Sequence, residues 1–178
     1  MAIYEQICKR TDNQKILDFC TFVLSGVSDG DLPDYNHLDM MQVPGLVPNI
    51  FVHDYRHGFE DGFLIKFSGT KLDENYGQSI QGKRFQDTYS GDDAKEKYIP
   101  LHYESIERKK PFLAIRTVLY DGGFTHEKYR LSTTVFFPCS SDQETVNFAI
   151  GMVLFEPVSD SIDPVYTIIG DAEQPGFQ

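Results

Sequence analysis

Tryptophan is absent from this chain, cysteine occurs three times, and cations are scarce, with 16 Lys and Arg against 27 Asp and Glu for a formal net charge of -11. A surface that holds a phosphate backbone draws on clustered cationic side chains. This balance therefore argues against nucleic acid and anionic membrane as partners. The densest basic run, Arg108-Lys109-Lys110, reads as a solvated helix end, where cations also face the negative end of the macrodipole. Cys8, Cys20 and Cys139 are odd in number and widely spaced, so they close no disulfide framework and match no zinc pattern. A reducing cytoplasm suits them. Long hydrophobic runs are missing too: residues 1 to 10 hold no apolar stretch of a secretory signal, and no uncharged apolar segment approaches the ~18 residues of a membrane span. The expectation is an acidic, cytoplasmic chain with no membrane partner.

What is present suits one domain with a true core. The chain has 178 residues, 40% of them hydrophobic, including 14 Phe and 10 Tyr. At this length roughly 70% of the unfolded surface can be buried. Thr11 and Gln14 have capping-box spacing, and Ile16, Leu17, Cys20, Val23 and Leu24 recur at helical intervals, which predicts an amphipathic helix over residues 12 to 25. Residues 27 to 48 are rich in Asp, Gly and Pro and read as an ordered connector.

Strand signals follow. Residues 50 to 56 and 62 to 68 form a hairpin pattern, with Phe63, Ile65 and Phe67 on one face because strand side chains alternate. Residues 71 to 110 read as helical or irregular, with Pro100 near the first turn of a short helix, the place where a missing amide proton is tolerated. The period returns to two after Pro111: residues 112 to 120 and 126 to 137 flank a turn at Asp121-Gly122-Gly123. Residues 146 to 155 are apolar on both parities, as in a strand covered on both faces. The implied fold is α+β: a five-stranded antiparallel sheet, short helices inserted between strands two and three, and an N-terminal helix. The chain divides as an N-terminal amphipathic helix over 1–26, the main domain over 27–156, and an acidic tail over 157–178 expected to pack loosely.

That order of elements resembles the PAS sensor fold. Local residues sharpen the likeness to a group of short single-PAS bacterial proteins long classed as a domain of unknown function. They are Leu32-Pro33; Asp39, Val43-Pro44 and Leu46-Val47-Pro48 leading into Ile50-Phe51-Val52; and Phe67-Ser68-Gly69-Thr70. Tyr76-Gly77, Gly82-Lys83-Arg84, Arg108-Lys109-Lys110-Pro111 and Phe137-Pro138 complete the set, over roughly residues 16 to 156. Met40 and Cys139 depart from the group, which usually has proline and leucine there. The resemblance implies a regulatory or sensory domain with a cavity between helices and sheet, often dimeric, and names no ligand.

Other motifs have plainer explanations. Gly77 to Arg84 nearly spells a phosphate loop but ends in Arg84 where magnesium binding needs Ser or Thr, so its glycines are read as turn formers. His53 and His57 lie about 13 Å apart along a strand and cannot share an ion; both are expected to face solvent at a strand end. Asp29, Asp31 and Asp34 miss calcium-loop spacing. His102 falls where the resemblance puts a pocket-lining helix, and where haem-binding PAS members carry an axial ligand. A buried, backbone-bonded histidine explains it more simply. Cys139 is expected to be an inert buried thiol.

Strand parity nominates a ligand-binding set of Phe63, Ile65, Phe67, Leu113, Ile115, Leu131, Val135, Ile150 and Met152, with Tyr98, His102, Arg116 and Tyr129 as polar contributors. No catalytic or metal site and no particular cofactor is indicated. The functional expectation is a non-catalytic PAS-like sensor or adaptor that binds a small molecule or a signalling partner. It would dimerise through the N-terminal helix, with Ile16, Cys20 and Val23 making the subunit contact if the chain is a scaffold. The alternatives are a small cone-shaped α+β enzyme with His102 or an aspartate as general base, and a pure dimerisation scaffold.

Overall fold

The computed structural model describes residues 2–58, 62–88, 94–119 and 129–170. Helices α1 (Ala2–Cys8) and α2 (Gln14–Leu24) lead through three short 3-10 turns into strands β1 (Ile50–Asp54) and β2 (Leu64–Ser68). Helix α3 (Thr70–Tyr76), a 3-10 turn at Phe85–Thr88 and a π-helical turn at Ala94–Tyr98 precede helix α4 (Ile99–Arg108). Strands β3 (Phe112–Leu119), β4 (Tyr129–Cys139), β5 (Phe148–Val158) and β6 (Val165–Ile168) complete the chain. The sheet order is β2-β1-β5-β4-β3-β6, and every neighbouring pair is antiparallel. The turn expected at residues 121–123, part of the first hairpin loop and residues 171–178 lie outside the described residues.

The α+β class agrees with expectation, but the sheet has six strands where five were expected. The extra strand, β6, comes from the tail expected to pack loosely: it pairs with β3 from Phe112↔Ile168 to Ile115↔Val165. Ile169 beyond it is fully buried and donates its backbone N–H to the Pro111 carbonyl at 2.7 Å. The acidity of the tail concealed the run Val165, Tyr166, Ile168 and Ile169, whose β-branched and aromatic side chains favour a pleated, half-buried surface.

Helix α2 forms because Ile16, Phe19, Cys20 and Val23 stand at i, i+3, i+4 and i+7, one stripe of a 3.6-residue period, and all four are fully buried. Its cap is Asn13, whose Oδ1 accepts from the Lys15 N–H at 3.1 Å; the expected cap, Thr11, instead accepts from the Asn13 N–H. The stripe packs on Ile50, Val135, Phe137, Ile150, Met152 and Leu154 of the sheet, with the rings of Phe19 and Phe137 6.2 Å apart. Full burial of such side chains stabilises by about 1.5–3 kcal/mol each. Ile16, Cys20 and Val23 are therefore spent on the chain's own sheet, which corrects the expectation that they form a subunit contact. Helix α1, not anticipated from the sequence, adds the fully buried Ile7 to the same layer.

Helices α3 and α4 belong to the core layer on the opposite face. Pro100 is the second residue of α4, where its missing N–H leaves no bond unmade. The helix ends at Lys109, whose left-handed φ of 53° lets its N–H reach the Ile106 and Ser105 carbonyls. The outer edge of β2 is shielded by the segment before Phe85: Ile65 donates to Lys83, and Gly82 and Phe85 donate to Ile65 and Phe63. Gly77 and Gly82 adopt φ of 65° and 80°, so in the stretch resembling a phosphate loop these glycines supply turns. Among the described residues no helix is long and apolar enough to cross a membrane.

Candidate functional site

The inner face towards α3 and α4 is aromatic. In one cross-strand row Phe112 pairs with Phe136, Phe136 with Gly151, and Gly151 with Phe51. The rings of Phe112 and Phe136 stack at 4.8 Å. Phe51 leans into the space above Gly151, where an added Cβ would come within 2.3 Å of the Phe51 ring. His53 is two residues further along β1, the period that returns to this face. It is 1% exposed, with Phe63 and Phe85 rings at 4.9 and 4.8 Å. This corrects the expectation of a solvent-facing histidine at position 53; His57 is exposed as expected.

Helix α4 brings His102 to the same place. Leu101, His102, Ser105 and Ile106 form its buried side, and the fully buried His102 ring lies 5.6 Å from that of His53. Phe85, Tyr98, Phe112 and Phe136 surround His102 at 4.6, 4.7, 4.8 and 4.9 Å. Its Nδ1 lies 2.7 Å from the Tyr98 carbonyl oxygen. Its Nε2 is buried without a hydrogen-bond partner, a condition that costs about 1–3 kcal/mol. His53 Nδ1 is 3.3 Å from the Tyr55 hydroxyl.

Burial disfavours the charged imidazolium. It pushes His53 well below the usual histidine value, with the neighbouring His102 lowering it further. Burial takes His102 to about 3, against a raising contribution from the Tyr98 carbonyl, and nearby Arg116 lowers it further. Both rings are neutral at physiological pH. Arg116 is 8% exposed, with its guanidinium carbon 4.1 Å above the Tyr98 ring, and Tyr98 donates to Thr134 at 3.2 Å. One border of the aromatic layer is therefore cationic and polar.

Of the residues nominated from the sequence, Phe63, Ile65, Tyr98, His102 and Arg116 meet on this face. Leu113, Val135, Ile150 and Met152 are buried on the other face, under α2, with Phe67 and Ile115 at the margin of that cluster. Leu131 and Tyr129 are half-buried at register positions of the same parity as Leu113. The nominated set is thus divided between two layers. Two causes account for this. Residues 112 to 115, Phe-Leu-Ala-Ile, are apolar on both parities. A β-bulge shifts the pairing from Val52↔Phe67 to His53↔Ile65, which separates Phe67 from Ile65.

Sequence reasoning missed His53, Phe85, Phe112 and Phe136. The alternation Phe51, His53, Tyr55 was the available signal, since a histidine in step with two aromatic residues shares their face. Cys139 is buried as expected, its thiol pushed up to about 12 by burial. Among the described residues no group of three or more His, Cys, Asp or Glu is placed to hold a metal ion.

No family model and no curated protein matches this chain. Solved structures do. A light-oxygen-voltage domain studied with a flavin analogue is similar over 68% of this chain and 85% of that one, at 12% identity and a TM-score of 0.50. The LOV domain of the Erythrobacter litoralis EL346 blue-light-activated histidine kinase covers 62% of this chain and 96% of its own, at 10% identity and 0.45. A Rhodobacter sphaeroides LOV protein covers 66% and 68%, at 8% identity and 0.46. With its strand order, its helices between β2 and β3 and the first of these likenesses, the chain has the PAS-like fold.

Proposed function

We propose that this chain is a non-catalytic PAS-like sensory module. Its aromatic layer between the sheet and helices α3 and α4 receives a small molecule, and the response passes to a signalling partner or a second copy by association. One observation carries the reading: two neutral histidines lie inside an aromatic shell, and one of them keeps a buried acceptor without a partner. A layer built for stability alone would leave no buried acceptor without a partner.

Native mass spectrometry of the purified chain, compared with its denatured mass and an absorption scan, tests the proposal. An extra mass lost on denaturation, and displaced by substitution of His102, is the expected result. A bare homodimer, unchanged by small molecules, would return the chain to the scaffold reading.

A further inference from the structure

The environment of His102 specifies what it accepts. The Tyr98 carbonyl oxygen can only accept, so the ring proton sits on Nδ1 and the Nε2 lone pair points away from it into the aromatic layer. Phe85, like Phe63 and Phe136, packs against both histidines, at 4.6 and 4.8 Å, and it stacks on Phe63 at 4.7 Å. It is carried by a single 3-10 turn outside the sheet, tied down by its own N–H to the Phe63 carbonyl at 2.9 Å. Gln86 in the same turn accepts from the Phe63 N–H and donates to the Tyr103 hydroxyl. Phe85 therefore packs on an imidazole with an open acceptor to which a phenyl ring can donate nothing, and of the rings around His102 it is the one carried by a single 3-10 turn. Of the other neighbours of His102, Phe63 lies near parallel to it while Phe112, Phe136 and Tyr98 meet it edge to face, so the surroundings are aromatic throughout and suit an aromatic guest. A charged guest would be desolvated there at high cost.

We propose that the ligand is a small, flat, uncharged aromatic molecule with one O–H or N–H donor, of the phenol or indole class. It takes the place of the Phe85 ring and donates to His102 Nε2. Phe85 is the built-in stand-in that fills the site until the ligand displaces it. This rests on the sensory reading above and narrows it to one chemistry.

The test uses the full-length chain, labelled with nitrogen-15 in histidine and titrated with phenol and with toluene, which has the same size but no donor. Phenol is expected to bind at least about tenfold more tightly, a difference of about 1.4 kcal/mol, and to move the His102 Nε2 resonance, which toluene leaves in place. His102→Phe, which keeps a ring and deletes the acceptor, should erase the preference. Phe85→Ala should tighten phenol binding about tenfold by removing the competitor. Equal affinities in the wild type, or a preference that survives in His102→Phe, overturn the donor-specific site. Binding of neither probe by wild type and Phe85→Ala also overturns it. The native mass then separates the two readings: a retained mass keeps the sensory module with another ligand class, and a bare chain removes both.

Discussion

The two faces of the sheet are buried to similar depth but with different chemistry. Under α2 lie Ile50, Val52, Leu113, Val135, Ile150, Met152 and Leu154, branched or unbranched aliphatics with Phe137 and Phe148 among them. Facing α3 and α4 are stacked rings, two histidines, Ser105, Thr134 and Arg116. The first layer can be built from local pattern, because aliphatic side chains need only fill volume. The second carries polar atoms that must be satisfied or must do something else. One face is mainly aliphatic, and the other carries a buried acceptor without a partner.

The largest expected effect tests the aliphatic layer. Phe137→Ala removes a 1%-exposed ring from beneath α2 and is expected to cost about 3–5 kcal/mol, measured as a lowered urea midpoint. A cost under about 1 kcal/mol would mean that α2 is not clamped to the sheet, and the contrast between the faces would fail.

Gly151→Ala probes the aromatic layer where it is tightest. The new methyl meets the Phe51 ring, and the shift forced on that ring should cost about 1–3 kcal/mol by thermal unfolding. The pair Gly151→Ala with Phe51→Leu should recover part of that loss, because the side chain in the way has changed shape. Simple additivity of the two substitutions would break the assignment.

Acid sharpens the comparison most finely. Both histidines are held below their unfolded value, 6.5, so as pH falls through 6.5 the unfolded chain takes up protons that the folded chain refuses. Stability present above that value is then lost progressively, for His102 down to about pH 3. Between pH 6 and 5, where carboxylates titrate little, each histidine should approach a slope of about 1.4 kcal/mol per unit. His102→Phe should remove roughly half of the combined slope in urea titrations at stepped pH. An unchanged slope would show that His102 is not neutral in the folded chain.

Much of this was readable from the residues alone, and the failures have physical causes. The PAS-like order of helices and strands followed from periodicity and from turn residues, and the position of Pro100 in the first turn of α4 followed from its missing amide. Strand parity did not separate Leu113, Val135, Ile150 and Met152 from the residues of the opposite face, because their strands are covered on both faces. When both parities are apolar, alternation no longer tells inside from outside. The bulge that separates Ile65 from Phe67 leaves no mark in sequence, since any residue can be the extra one. Strand β6 was hidden by the acidic residues around a short apolar run, and α1 by its brevity. Phe85, one of the rings against both histidines, sits in a single turn with no periodicity to announce it.

The Phe51 ring standing over Gly151 has a consequence for inheritance. Glycine at 151 is required by its neighbour rather than by its own backbone, since its φ is not positive and what an added side chain would meet is the ring across the strand. The two positions therefore drift as a unit. In a descendant that has lost the ring at 51, position 151 is relieved of that clash, and once it carries a side chain, a returning ring would meet it.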